Sequence, residues 1–228
     1  MANQINLQKF VELCKREINS EDNERIQKIE ISSQSIHRWL QYCHYHYTNL
    51  VNSTKEEDLF FDRISEYRRQ GEKVIVRHVY EANIIAFLNS LHAMLDSFPY
   101  LLNLFIPVYK NPDSTEIKWH QEFIKKYEDH CFGNDLKNFM FDPTFNKVKG
   151  YVNTTKHKHL IRISNNFEKI EFEDFKFRAP KNKNNGKISY EEEIVSRQDA
   201  IAFINECHNY LVPKFFYLCN SVISAKSS

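Results

Sequence analysis

Residues 149–163 read KGYVNTTKHKHLIRI, and the hydrophobic pattern of the whole chain changes within this stretch. Up to His157 the apolar residues recur at helical spacing, whereas after it they follow a period of two. We therefore predict a helix that ends near His157 and short strands that follow it.

The predicted helix carries a polar face made of Asn153, Lys156 and His157, which are three and four positions apart. This face is either a solvated surface ahead of a strand or part of a site, because amide, ammonium and imidazole groups all need water or a partner. The same stretch adds three further basic side chains, Lys149, Lys158 and His159.

The fold class that we predict is mainly α: a helical bundle with a small antiparallel β-hairpin or meander insertion at about 160–194. Only 4 Gly and 6 Pro occur in 228 residues, which favours long helices over a loop-rich β protein. Turns are predicted at Asn165–Asn166 and Asn185–Gly186. We expect one helical domain over 1–228, with 1–72 either part of its core or an N-terminal helical extension.

The longest helical signal covers residues 73–98, and Pro99 is expected to end or kink that helix. On the flank of its apolar face lies a polar stripe of Asn89, His92 and Asp96. These side chains are either hydrogen-bonded core polar groups or one wall of a site.

Further helices are predicted at 4–18, about 34–52, 115–130 and after the capping sequence Ser196–Asp199. The charged segment 55–70 is predicted to be a helix or an ordered connector that Gly71 ends. Pro213 is expected to bend the last helix.

The formal charge of +1, from 31 basic and 30 acidic residues, means that any nucleic-acid contact must be local. Five widely spaced cysteines, an odd count without a CxxC pair, indicate free thiols in a reducing compartment. No signal-peptide core or membrane-length apolar run is visible, so we expect a cytoplasmic protein without a membrane partner.

Motifs for nucleotide, metal or hydrolase chemistry are absent from the sequence. There is no GxGxxG, phosphate-binding loop, HExxH or GxSxG. Cys43 and His46 are spaced like one pair of zinc ligands, but two more ligands would have to come from elsewhere. We therefore predict no metal and no cofactor.

The groups on the focal helix suit metal-free cleavage of RNA, in which the 2′-hydroxyl attacks the adjacent phosphate. Histidine exchanges protons near neutral pH, so His157 is the candidate general acid/base. Lys156 is placed to stabilise developing charge, and Asn153 to orient a phosphate oxygen or the ribose hydroxyl.

An Asn-x-x-x-His helix late in a set of long helices, with a polar stripe on an earlier long helix, resembles the HEPN superfamily. The resemblance covers about residues 73–224. Asn153 matches the polar residue that often follows the motif Arg, and His157 matches the motif His. Val152 stands where the motif has Arg, so Lys156 or Lys149 would have to supply the missing positive charge.

The resemblance implies an all-α, commonly dimeric fold and a metal-independent ribonuclease of a toxin–antitoxin or antiviral defence system. Asp96 or Asn89 would then correspond to the polar residue on the facing helix, with Asp96 in an orienting role. The implied partners are RNA, a second copy of the chain and an antitoxin or defence-system protein. The candidates for substrate binding are Asn89, His92, Lys149, Lys158 and His159.

Two alternatives stay open. A non-catalytic HEPN-type module that binds RNA, nucleotides or a protein is favoured by the missing Arg. An unrelated helical adaptor is favoured by the aromatic-rich composition and the near-zero net charge.

Overall fold

A computed structural model describes residues 12–13, 15–16, 23–55, 66–166, 168–183 and 188–227. Within these limits the chain forms two compact units. The first unit takes its residues from Met1–Trp39, Ala93–Phe145 and Tyr210–Ser228, and the second from Leu40–His92 and Asn146–Asn209. Each unit is therefore assembled from segments that are far apart in the sequence.

The chain is mainly α, as the sequence predicts. The helices are α1 (Asn23–Lys55), α2 (Val76–Asp96), α3 (Phe98–Phe105), α4 (Gln121–Lys125), α5 (Gly133–Met140), α6 (Pro143–His157), α7 (Ala200–Glu206) and α8 (Val212–Ser227). The strands are β1 (Glu66–Arg69), β2 (Glu72–Ile75), β3 (Ile163–Asn165), β4 (Ile170–Phe172), β5 (Phe175–Asn182), β6 (Ile188–Val195) and β7 (Gln198–Asp199). The predicted helix at 4–18 and the turn at Asn185–Gly186 lie largely or wholly outside the described residues.

Strands β1 and β2 form an antiparallel hairpin. Its turn residues, Gln70 and Gly71, both have positive φ angles, 53° and 87°. This pair of angles is typical of the tight turns whose twist matches that of the strands. The helical alternative for 55–70 is therefore wrong at 66–70, and 56–65 lies outside the described residues.

The break predicted at Pro99 is confirmed. Helix α2 ends at Asp96, and Pro99 lies in the first turn of α3, where its missing N–H would have no helical partner in any case. The helix predicted after Ser196 begins at Ala200, but Asp199 caps it instead of Ser196, because the Asp199 carboxylate accepts a hydrogen bond from the Ala202 N–H at 2.9 Å. A π-helical turn, Cys207–Leu211, lies between α7 and α8 and interrupts the α-helical pattern just before Val212 and Pro213.

The core of the first unit is aromatic and centred on Trp119, which is 3% exposed. Its ring lies 5.9 Å from that of Phe98, 5.4 Å from Phe139 and 5.5 Å from Phe145. The indole N–H donates to the Leu95 carbonyl at 2.8 Å, so the buried polar group of the tryptophan is satisfied.

The helix predicted at 115–130 is wrong for most of its length, since only Gln121–Lys125 is helical. His120 is extended, with φ −151° and ψ 165°, and its ring nitrogen accepts the Phe123 N–H at 3.0 Å. The imidazole thus caps the helix and fixes its start at Gln121. The helical spacing of Trp119 and Phe123 reflects two buried side chains rather than one continuous helix.

In the second unit, β4 pairs with both β3 and β7, and β5 pairs with β6, all antiparallel. Strands β4 and β5 pack against α6. The buried ring of Tyr151 lies 4.5 Å from Phe172 and 5.4 Å from Phe175. These contacts place the buried side of α6 on the strands and leave its opposite side to solvent.

Candidate functional site

Helix α6 begins at a well-defined cap and ends at the basic cluster. Asp142 accepts the Phe145 N–H at 3.0 Å, and Pro143 opens the helix with the φ angle that a first turn requires. At the other end, the N–H groups of Lys158 and His159 both reach the Thr154 carbonyl, at 2.9 and 3.2 Å. The chain therefore leaves the helix directly after His157.

The polar face that helical spacing predicts is exposed. Asn153, Lys156 and His157 all face solvent, while Tyr151 and Val152 are 2% and 1% exposed. Val152 occupies the position that the HEPN motif gives to Arg, so that position faces the core. A guanidinium there would have to be buried and paired.

A pocket of about 370 Å³ lies over this part of α6. Its lining residues from the helix and its C-terminal end are Lys149, Gly150, Asn153, Thr154, His157 and Lys158. Phe177 and Arg178 of β5 complete the lining. The pocket thus brings together one imidazole, one amide and three long cationic side chains.

Helical geometry explains which predicted residues share the pocket. Positions 149, 153 and 157 advance by about 400° per four residues, which is about 40° beyond a full turn, so they form one row along the helix. Lys156 lies about 60° to the other side of Asn153 and does not line the pocket. His159, beyond the helix end, is exposed and does not line it either.

Strand β5 lies against the helix at a glycine. An ideal β-carbon on Gly150 would lie 2.4 Å from the Phe177 ring, a distance that real β-carbons do not tolerate. Because Gly150 has no side chain, Phe177 packs directly on the helix backbone. The next residue of the strand, Arg178, is thereby brought to the pocket.

Sequence reasoning missed Arg178, Thr154 and Phe177 as site residues. The alternation of buried and exposed residues in β5 identifies Arg178 as outward-facing but says nothing of what the strand packs on. The usable signal was Gly150, since a glycine inside a helix is unfavourable by about 1 kcal/mol relative to alanine and often marks a close approach.

The positive charge of the site comes from side chains. No acidic residue occurs between Asp142 and Glu168, whereas five Lys or Arg residues do. The C-terminal end of a helix carries partial negative charge, so the helix dipole attracts these cations but does not itself attract an anion. The chain has a net charge of only +1, and this segment concentrates the positive charge locally.

His157 and Asn153 keep their hydrogen-bonding groups available. Neither side chain has a hydrogen-bond partner among the described residues, and both are exposed. An imidazole with a free nitrogen can exchange a proton, and an amide can both donate and accept. The arrangement can therefore bind an oxyanion and move a proton beside it.

The polar stripe of α2 lies elsewhere. His92 is 7% exposed, and Asn89 has a buried side-chain oxygen without a partner among the described residues. Both belong to the second unit, and neither lines the pocket. Asp96 is exposed at the end of α2 and belongs to the first unit.

Cys43 and His46, which are spaced like a pair of zinc ligands, make other contacts. Cys43 is buried, with its sulfur 4.0 Å from the Phe87 carbonyl oxygen. His46 Nδ1 lies 3.1 Å from the side-chain oxygen of Asn83. These contacts hold the part of α1 that belongs to the second unit, from Leu40 onward.

No protein-family model, curated protein or solved structure matches this chain. The HEPN resemblance therefore stays a prediction that rests on the residues of α6. None of the helices in the described part of the chain combines the length and apolar character that a membrane span requires.

Proposed function

We propose that this protein is a metal-independent, HEPN-like endoribonuclease that acts at the pocket on α6, with His157 as the general acid/base. The observation that supports it most directly is the pocket lining. His157 and Asn153 share one cavity with Lys149, Lys158 and Arg178. When the 2′-hydroxyl of RNA attacks the adjacent phosphate, catalysis requires a proton carrier, a group that orients the substrate and cations near the phosphate oxygens. The pocket supplies an imidazole, an amide and three cations for these roles.

In the proposed reaction, the 2′-oxygen attacks phosphorus and the bond from phosphorus to the 5′-oxygen breaks. His157 takes the proton of the 2′-hydroxyl and returns it to the leaving 5′-oxygen, so no proton is lost or gained. The products are a 2′,3′-cyclic phosphate and a 5′-hydroxyl. The cations stabilise the extra negative charge on the phosphorane oxygens.

A single imidazole must serve as base and then as acid in this scheme. A homodimer that places two α6 helices face to face would supply a second His157 and divide these roles. Light scattering coupled to size-exclusion chromatography measures the oligomeric state, and mixed dimers of active and His157→Ala chains measure whether both copies are needed.

The test of the proposal is cleavage of mixed-sequence RNA by purified protein in the presence of a chelator. His157→Ala should abolish cleavage, and the wild-type products should end in a cyclic phosphate. His159→Ala is the matched control, because this histidine is two residues away, exposed and outside the pocket lining. Equal cleavage by wild type and His157→Ala would overturn the proposal.

The second candidate is a non-catalytic module that binds RNA or nucleotides at the same pocket. Val152 favours it, because a buried valine stands at the position where the motif has Arg, and α6 therefore lacks the motif guanidinium. This candidate predicts that wild-type protein binds RNA without cleaving it.

A further inference from the structure

The β5–β6 hairpin presents an exposed face next to the pocket. Residues directly opposite in an antiparallel pair lie on the same face, and Arg178 is opposite Glu192 while Pro180 is opposite Tyr190. Arg178 and Tyr190 are therefore diagonal neighbours on one face, for which the spacing is about 7–8 Å. Tyr190 is 44% exposed, which is high for a large aromatic side chain.

Three consecutive glutamates on β6 would repel an anion, but two of them have a cationic partner. Glu192 pairs with Lys176 at 3.3 Å, and Glu193 pairs with Lys181. Glu191 accepts a hydrogen bond from the Ser189 hydroxyl at 3.1 Å.

Strand β5 carries three cations, and Arg178 is the one that forms no ion pair with the described residues. One of its terminal nitrogens donates to the Tyr190 carbonyl at 3.0 Å. A guanidinium has five N–H donors, so most of them stay available, and the full charge is retained. The planar fork suits a phosphate better than an ammonium does.

We propose that this hairpin face extends the pocket into an RNA-binding surface, in which Arg178 contacts a phosphate and Tyr190 stacks on an unpaired base of a neighbouring nucleotide. The proposal rests on the proposed function and adds the residues that select the substrate. Base stacking requires a base whose face is free, so the surface prefers single-stranded segments over a continuous duplex.

Arg178 donates its hydrogen bond to the backbone carbonyl of residue 190, and this carbonyl is present whichever side chain that residue carries. Substitutions of Tyr190 thus remove the ring without removing this contact. The side chain is largely exposed, so its loss should change the free energy of unfolding little.

The experiment measures fluorescence anisotropy of a labelled, non-cleavable 2′-O-methyl RNA, as a single strand and as a duplex. Tyr190→Ala should weaken single-strand binding about 5- to 100-fold and leave duplex binding unchanged, as expected for the loss of one stacked base. Tyr190→Phe keeps the ring and should bind like wild type.

Arg178→Gln should weaken binding of both probes, and Arg178→Lys should recover only part of the loss because it lacks the fork. Lys176→Gln is the matched control, since Lys176 lies on the same face of β5 but is paired with Glu192. We expect about a twofold change or less for this variant.

Unchanged single-strand affinity for Tyr190→Ala would overturn the proposal. If cleavage nevertheless depends on His157, the ribonuclease function stands and only the hairpin surface is wrong. Binding that depends on Tyr190 in a protein that cleaves nothing would leave the surface in place and remove the catalytic function. Absence of binding by wild type would overturn both.

Discussion

Gly150 and Phe177 meet so closely that a β-carbon on the glycine would lie 2.4 Å from Cγ of the ring. Cγ is the base of the phenyl group and cannot swing away as the end of a flexible chain can. Phe177 is 8% exposed, and the strand that carries it also carries Arg178. This contact therefore sets the position of β5 on the helix that bears His157.

Gly150→Ala should destabilise the protein despite alanine's higher helix propensity. The propensity gain is about 1 kcal/mol, whereas overpacking a buried contact costs about 1–3 kcal/mol. Urea unfolding should show a lower free energy of unfolding. RNA binding should weaken as well, because β5 must move and Arg178 moves with it.

A double-mutant cycle with Phe177→Leu is the control, since the smaller side chain makes room for the new methyl group. The double variant should lose less stability than the sum of the two single variants. Strict additivity of the two losses would show that an alanine at residue 150 does not clash with residue 177, and it would contradict the close contact between Gly150 and Phe177.

Lys158 and Lys156 offer a matched pair for the electrostatics of the pocket. Both are exposed lysines at the same end of α6, but only Lys158 lines the pocket. Lys158→Gln should weaken RNA binding and reduce the slope of log affinity against log salt by about 0.7–1, as expected for one lost phosphate contact. Lys156→Gln should leave the slope unchanged. Equal slopes for both variants would mean that the RNA contacts another surface.

The polar face of α6 was predictable because it depends only on helical periodicity. Asn153 and His157 are four residues apart, and that spacing alone places them on one side of a helix. Arg178 was not predictable in the same way. Its place in the site depends on the long-range packing of β5 against α6, and Gly150 marks a close approach to the helix without indicating which strand makes it.

The false helix at 115–130 has a related cause. Trp119, Phe123 and Tyr127 recur every four residues, and all three are buried, so the periodicity reports burial correctly. It does not report backbone hydrogen bonding. The Trp119 indole and the His120 ring are bonded to backbone groups, and these bonds stabilise an irregular chain at the expected start of the helix.

Asp142 gives a prediction about stability and pH. Burial raises the pKa of its carboxyl, but hydrogen bonds from Lys214, the Phe145 N–H and Tyr210 outweigh burial and lower the pKa below the ordinary 3.8. A carboxyl whose pKa is lower in the folded state stabilises that state above its unfolded pKa. This stabilisation is lost as the pH falls through the lower, folded value.

Asp142→Asn keeps the oxygen that caps α6 but removes the charge that Lys214 contacts. At about pH 7 it should lower the free energy of unfolding by about 1.5–3 kcal/mol, the range for a hydrogen bond to a charged group. The difference from wild type should shrink as the pH falls below 3.8. Urea unfolding at a series of pH values measures the difference in the free energy of unfolding. A difference that does not change with pH would contradict a charged Asp142 carboxylate in the folded protein.

The cysteines of the described residues differ sharply in accessibility, and thiol labelling should show it. Cys131 is exposed, whereas Cys43, Cys207 and Cys219 are buried. Burial raises the pKa of the Cys43 thiol to about 12, which lowers its thiolate fraction at neutral pH. Only the thiolate reacts with iodoacetamide, so the burial of Cys43 and its raised pKa both slow its labelling.

Cys14 lies outside the described residues, so the experiment uses a Cys14→Ser background. In the folded protein Cys131 should be alkylated first, and a Cys131→Ser variant should lose this rapid phase. All four remaining thiols should react in denaturant. Peptide mass spectrometry identifies the labelled positions. Rapid labelling of Cys43 in folded protein would show that α1 separates from the Phe87 carbonyl, and the packing of that helix would then need to be revised.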